Sequence, residues 1–328
     1  MPSLPSMRDV HPVNQLLTDM AIGYGQELAG TYCVDRATTP VPVKKQSNTY
    51  AIWDKGDMFR DEFQLRVSGQ PSVGVGQRVS TGTYSCKRYA LHATLGRDEL
   101  ANSDFTDLEK KKIRLLAQKA KIKRDRIYAA NVFATGLWTS NTEQTGVASG
   151  ESTNQFRQFN DGANSDPIKV ILDQQSVLEL STGLRGNKLV TNRKVLRALR
   201  QHPDLLALTQ YTSPGLAPMQ TLLETFELEE IVIADGIYNT AAEGQTASMA
   251  RIIGNHMLLC HIAPKSTDEP TAVCSFVWSE FDQVTENDVP VKSWFNEDLD
   301  CHKYEGEICP DTKITANDLG VFFKDVVA

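Results

Sequence analysis

Residues 186–203 read GNKLVTNRKVLRALRQHP. Lys188-Leu189-Val190-Thr191 has the composition of a short strand, and Asn192 stands where an N-cap belongs, ahead of a helix over Arg193–Gln201. The same short alternation continues on both sides. Upstream, Ile168, Ile171, Leu172, Val177 and Leu180 give Pro167–Leu184 an amphipathic spacing, with Pro167 suited to the first helical turn. Downstream, Thr221–Phe226 reads as helix, Glu230–Ala234 as a β-branched strand, and Met257–Ile262 and Ala272–Trp278 as further strands. Helix and strand in such short units indicate one α/β or α+β domain. The last segment, Val289–Ala328, returns to strand-like polar stretches and ends on an apolar run over Val321–Val327.

Further upstream, Asp104–Gly136 is the longest helical pattern. Thr106 and Glu109 have capping-box spacing, and Leu116, Ala120, Ile127 and Ala130 fall on one face. No proline interrupts the stretch, and Gly136 is a suitable terminator. About 30 residues at the helical rise extend roughly 45 Å, which predicts a spine rather than an ordinary globular helix. Before it come two runs of period two: Phe63, Leu65 and Val67, then Tyr89, Leu91, Ala93 and Leu95. Between them Ser68–Thr83, SGQPSVGVGQRVSTGT, has glycines, a proline and no helical period. Two strands around so long a tip read either as a projecting β-arm or as a surface loop. Residues 1–48, with Pro2, Pro5, Pro12, Pro40 and Pro42, are poorly suited to a core and read as a tail or as an arm that orders on a neighbour; Thr38–Pro42 should be extended.

Composition narrows the function more by exclusion than by indication. The longest apolar runs are far too short to span a bilayer, and the first 30 residues lack the apolar core of a secretory signal. A formal net charge of −7 argues against global affinity for nucleic acid. Six scattered cysteines in a chain expected to fold in a cytoplasm should be free thiols. Cys301-His302 with Cys309, and Cys260-His261, are the best candidate metal ligands, but neither has the paired spacing of a zinc site. No GxSxG, HExxH or phosphate-loop pattern occurs, and Gly74-Val75-Gly76 lacks the setting of a dinucleotide site. One charged feature stands out. Residues 104–126 carry Lys110, Lys111, Lys112, Arg114, Lys119, Lys121, Lys123, Arg124 and Arg126 against Asp104, Asp107, Glu109 and Asp125. This is either a solvated helix face or one that meets an acidic partner: a neighbouring subunit, a scaffold protein or DNA. Aromatic residues are too sparse there for base stacking.

In their order these pieces resemble tailed-bacteriophage major capsid proteins of the Hong Kong 97-type fold, which encapsulin shells share. Gly186–Asn192, Val195–Leu199 and His202-Pro203 look like that family's "Asn-x-Leu-Val … Leu-x-x-His-Pro" segment. Phe226–Ala241, FELEEIVIADGIYNTA, is similar to its next strand and turn, and Arg251–Ile262 with Thr271–Trp278 to the following strand pair. Phe59-Arg60 and Tyr84–Leu95 fit its β-arm, and Asp98-Glu99 leads into the spine. Gly186 stands where the family often has proline.

The resemblance implies an α+β fold with an N-terminal arm (1–48), an E-loop (49–96), a spine helix and peripheral domain (97–162), an axial domain (163–287) and a C-terminal part of the peripheral domain (288–328). It implies a structural subunit, not an enzyme, with no cofactor and no metal, that assembles as hexamers and pentamers into an icosahedral shell. Scaffold, portal and decoration proteins would be its partners, with double-stranded DNA enclosed without sequence-specific contact. It would reside in the virion after assembly in the host cytoplasm. Arg60, Asp61, Glu62, Arg66 and Arg78 on the arm, and Lys119, Lys123 and Arg126 on the spine, are the candidate subunit-interface residues. An encapsulin-type nanocompartment shell and, from another class, a cytosolic metal-dependent enzyme are the alternatives. Lys–Asn cross-linking, which part of the family uses, is not expected, because no lysine lies between Ser68 and Gly82.

Overall fold

The strand Lys188–Thr191 lies inside a six-stranded mixed sheet of the computed structural model, which describes residues 31–328 apart from 67, 70, 103–106, 140, 210–215, 264–268 and 283–288. The strand order is Gln155–Arg157, Glu143–Val147, Gly320–Lys324, Met257–Cys260, Lys188–Thr191, Glu230–Ile233. Met257–Cys260 is antiparallel to both neighbours, and the outer pairings are parallel. Because side chains alternate along a strand, Leu189, Ile231, Met257, Leu259 and Phe323 enter one core with the helices Pro167–Thr182, Arg193–Gln201 and Met219–Thr225. Val190, Val232, Leu258, Cys260 and Phe322 enter another. A sheet covered on both faces needs apolar residues at every position, and Met257–Cys260, MLLC, is buried throughout.

The helix ends follow the sequence reading. Asn192 Oδ1 accepts from the Val195 amide at 2.9 Å, and its Nδ2 donates to the Gly254 carbonyl at 2.6 Å, so one buried side chain caps a helix and ties it to the next loop. Asp166 caps Pro167–Thr182 through the Lys169 amide at 2.9 Å, with Pro167 in the first turn.

The long helix runs Leu108–Val132, 25 residues or about 37 Å, so it is shorter than the pattern predicts. Asp107 precedes it with φ 77°, and Thr106 of the expected capping box lies outside the described residues. Its buried stripe is Ile113, Leu116, Ala117, Lys121, Arg124, Asp125, Tyr128 and Val132. This corrects the face expected from Leu116, Ala120, Ile127 and Ala130 by roughly a quarter turn; Ala130 is exposed. Charged residues made the true face look solvated. Arg124 meets Asp282 at 2.5 Å, and Asp282 also accepts the Cys309 amide at 2.7 Å. The N-terminal half of the helix packs Ile113 and Leu116 on Leu95, Val291 and Tyr304 of a three-stranded sheet, Val291–Asn296, Cys301–Ile308 and Tyr89–Gly96. The C-terminal half places Tyr128 and Val132 under the central sheet.

Residues 31–48 depart from expectation. Cys33, Val34 and Ala37 are core residues. The amides of Cys33 and Val34 both donate to Asp125 Oδ1, at 3.3 and 3.2 Å, and so dock the chain on the long helix. Thr39–Val43 is extended as predicted and pairs parallel to Val273–Trp278. It is an edge strand, which is where Pro40 and Pro42 do no harm. Sequence reasoning missed the docking because its polar half is a single aspartate on another element.

Two outcomes are expected. Replacing Asn192 by Ala removes a cap and orphans a carbonyl, and should lower the urea-unfolding free energy by about 2 kcal/mol. Burial pushes the Asp125 carboxyl up to about 7 despite its two amide donors. A folded-state value above the ordinary one of about 3.9 means that the ionised group costs stability progressively as pH rises from about 4 through 7, and nothing below that window. Asp125→Asn should therefore gain on the parent across that interval and hold a constant difference above it. A difference that does not change with pH would show that the carboxyl is not strained by burial.

Candidate subunit interface

A second antiparallel pair, Ser47–Trp53 with Val79–Ser85, forms a hairpin arm. Its root is fixed to the body. The Tyr84 ring stacks on Phe276 at 4.7 Å with 12° between the planes, and Tyr50 leans on the same ring at 5.3 Å. The Ser85 amide donates to Asp311 Oδ2 at 2.8 Å. A Cβ at Gly82 would lie 2.4 Å from the Tyr50 ring, so a larger residue there would push that ring aside.

Beyond the strands the arm is held by charge. Asp54 caps the turn Lys55–Met58 through the Gly56 amide at 2.9 Å. Arg78 grips Asp57 with Nε and Nη2 at 3.0 and 3.1 Å and reaches Asp54 at 2.9 Å. Arg60 adds pairs to Asp57 and Glu62, each at 3.2 Å. Hydrogen bonds from Arg78 hold the Asp57 carboxyl down at about 2. Lys55 also pairs with Asp318 of the body.

The connection from Phe59 to Arg78 has no regular secondary structure among its described residues. The strand expected at Phe63–Val67 is absent: Phe63 and Leu65 are about fully exposed, at 101% and 96%, and Val67 lies outside the described residues. Alternation alone does not make a strand without a partner for its backbone. Tyr89–Gly96 is a strand as read, yet it pairs with Cys301–Ile308 of the body and not with the arm. Trp53, Met58, Phe59, Val73, Val75 and Val79 are exposed as well, so among the described residues eight of the nineteen exposed large apolar side chains lie between 53 and 79. Such a density is the signature of a surface made to be covered.

The candidate interface residues fall into two sets. Arg60, Asp61, Glu62, Arg66 and Arg78 all sit on this arm, and Arg60, Arg78 and Glu62 already pair within it. Lys119, Lys123 and Arg126 sit on the long helix, with Lys123 over the Tyr89 ring at 4.5 Å and Arg126 over Tyr238 at 4.6 Å. From sequence Phe63 and Leu65 read as part of a strand and Phe59 as part of the β-arm, none of them as an exposed contact surface, and Trp53, Met58, Val73, Val75 and Val79 carry no local signal.

The candidate metal ligands are not brought together. Cys260 Sγ contacts the Lys188 carbonyl and His261 Nδ1 the Arg185 carbonyl, while the His302 ring packs on Phe295. Among the described residues no three His, Cys, Asp or Glu side chains form a group that could hold a metal ion. The six cysteines are buried free thiols. Burial lifts Cys86 to about 11 and Cys260 and Cys309 to about 12, which keeps these thiols protonated near neutrality. No described helix is long and apolar enough to cross a membrane.

No protein-family model matches the chain. Over 76 residues, 23% of this chain, it is 33% identical to the major capsid protein of Burkholderia phage BcepMu; the match spans 25% of that protein's length. Solved structures align over nearly the whole chain. A phage-related protein from Bordetella bronchiseptica RB50 has a TM-score of 0.71 at 18% identity, covering 96% of this chain and 98% of that one. The capsid of cyanophage P-SCSP1u gives 0.56 at 11%, covering 90% and 88%. A virus-like particle from Pyrococcus furiosus gives 0.55 at 12%, covering 94% and 98%. The chain has the α+β fold of Hong Kong 97-type capsid proteins.

The clamp at the arm's base predicts a separable behaviour. Because the Asp57 value is depressed, its contribution is present above about pH 4 and is lost only as pH falls through about 2. Arg78→Ala should speed limited proteolysis between residues 59 and 78 several-fold near neutral pH while leaving the thermal midpoint of the subunit unchanged. A lowered midpoint would place the clamp in the fold rather than in the arm.

Proposed function

We propose that this chain is the major capsid protein of a tailed bacteriophage, a structural subunit that self-assembles into the icosahedral head around a double-stranded DNA genome. One observation carries the reading: the arm is anchored by stacked rings and ion pairs at its root, yet its apolar residues are exposed, with none of the described residues over them. An arm of that kind completes its burial on another copy, at contacts repeated by symmetry. The fold likeness and the partial sequence match to a phage capsid protein support the same conclusion.

In this reading residues 1–48 are the N-terminal arm, 49–96 the E-loop, 97–162 the spine and peripheral domain, 163–287 the axial domain and 288–328 the rest of the peripheral domain. Gly320–Lys324 crosses back into the axial sheet. The subunits form hexamers and pentamers. Arg60, Asp61, Glu62 and Arg66 contact a neighbour. No residue is assigned a catalytic role. Scaffold, portal and decoration proteins are the partners during and after assembly in the host cytoplasm, and the mature site is the virion. The nanocompartment alternative draws on the likeness to the virus-like particle. The nucleic acid content of particles separates it from the phage reading.

The test is assembly. Electron microscopy and sedimentation of the expressed chain, with scaffold supplied, should show closed shells or capsomers, whereas a monomer or dimer under every condition would refute the proposal. Replacing residues 61–76 by a short turn should leave thermal unfolding nearly unchanged, since the segment buries little apolar surface, and should sharply reduce shell yield.

A further inference from the structure

The long helix carries a second surface that the arm does not explain. Lys112, Lys119 and Arg126 recur every seven residues, and Lys123 follows Lys119 by four, so all four lie on the side away from the buried stripe. Lys119 and Arg126 are exposed, and Lys112 and Lys123 half-buried. The row extends over about 21 Å of helix.

Two acidic residues lie within the helix, and both are engaged elsewhere. Asp125 takes the amides of Cys33 and Val34, and Glu109 hydrogen-bonds Tyr304. Among the described residues no carboxylate is in ion-pair contact with any of the four cations. Like charges one turn apart, as at Lys119 and Lys123, destabilise a helix. In a chain of net charge −7, an uncompensated cationic row is therefore costly unless something anionic meets it.

We propose that this face of the long helix binds the phosphate backbone of double-stranded DNA, without reading its sequence. The inference rests on the reading of a DNA-filled shell and assigns the surface that meets the genome. A protein contact of useful strength has an apolar core, and this helix offers one large exposed apolar residue, Leu115, whereas the arm concentrates them. A row of point charges needs no shape match to a polyanion, whose closely spaced phosphates meet it in any register. The rings of Tyr89 and Tyr238 under Lys123 and Arg126 hold two of the charges in place, facing outward from the helix.

The experiment compares full-length parent, the triple variant Lys112→Glu, Lys119→Glu, Arg126→Glu, and a charge-matched control, Lys44→Glu, Lys45→Glu, Arg197→Glu. Each is titrated with a short DNA duplex across a salt series, with shell assembly followed in parallel by sedimentation. The expected result is that the triple variant loses at least tenfold in affinity at low salt and that its log–log salt slope falls by about three, one for each phosphate contact. The control should lose far less, and both should assemble like the parent. Should the glutamates disturb folding, as judged by circular dichroism, the glutamine triple serves instead, with the same loss of slope. Parent protein that ignores the duplex, or variants that behave like the control, would overturn the inference. So would a triple variant that binds DNA normally but fails to assemble, because the row would then be a subunit contact. Failure of the parent itself to assemble is a separate result and counts against the capsid reading.

Discussion

The structure depends on one helix serving two sheets. Over its first half Leu108–Val132 buries Ile113 and Leu116 against the sheet that contains Leu95, Val291 and Tyr304, and over its second half it buries Tyr128 and Val132 under the central sheet. Between these apolar ends the stripe turns polar, and Arg124 and Asp125 are spent on Asp282 and on the backbone of residues 33–34. Both are buried ionisable groups, which hold a structure only when their polar atoms are fully partnered. Directional partners make this crossing point specific: the helix cannot slide by one turn without stranding an arginine, an aspartate and two amides together. The arm, the edge strand Thr39–Val43 and the sheets at either end all take their position from that register.

What could be read from the sequence follows from the same division. Where burial is apolar and local, the reading held: Lys188–Thr191 as a strand, Asn192 as a cap, Pro167 in a first turn, and apolar runs for strands covered on two faces. Where burial is polar and distant in sequence, it did not. Asp125 and Cys33 are 92 positions apart, and nothing local marks either as a partner. Lys121 and Arg124 counted as solvent residues, which turned the expected helix face. The arm misled for the opposite reason. Phe63 and Leu65 alternate as a half-buried strand does, but none of the described residues buries them. A residue pattern records burial in the working assembly, whereas a single subunit supplies only part of it.

That difference is also what makes the arm useful. Its root is rigid, through Tyr50, Tyr84 and Phe276, and its base is clamped by Arg78. The segment in between has no regular secondary structure among its described residues. Ordering such a segment costs conformational entropy of about 1–2 kcal/mol per residue, which burial of Trp53, Met58, Phe59, Phe63 and Leu65 on a neighbour offsets only when the neighbour is correctly placed. In the shell proposed here single encounters are therefore weak and reversible, and many simultaneous ones hold. The clamp confines the segment to one region of space before contact, which lowers the cost of the correct encounter without adding to it in the free subunit.

Charge is divided along the same lines as burial. The arm carries its charges as internal pairs, Arg78 with Asp57 and Asp54, and Arg60 with Asp57 and Glu62. Neutralised in this way, they orient the segment and leave its apolar groups to drive association. The long helix does the reverse: its acids are withdrawn into the fold, and Lys112, Lys119, Lys123 and Arg126 on its outer side pair with no carboxylate among the described residues. Since the chain is acidic as a whole, copies repel one another at long range, by an amount that falls with salt. On the reading proposed above, apolar contact of the arm at short range opposes that repulsion, while the row of cations on the helix offers a polyanion its attraction. In that proposal one surface selects by shape and the other by charge, so association with other copies and contact with nucleic acid draw on different residues of the same subunit.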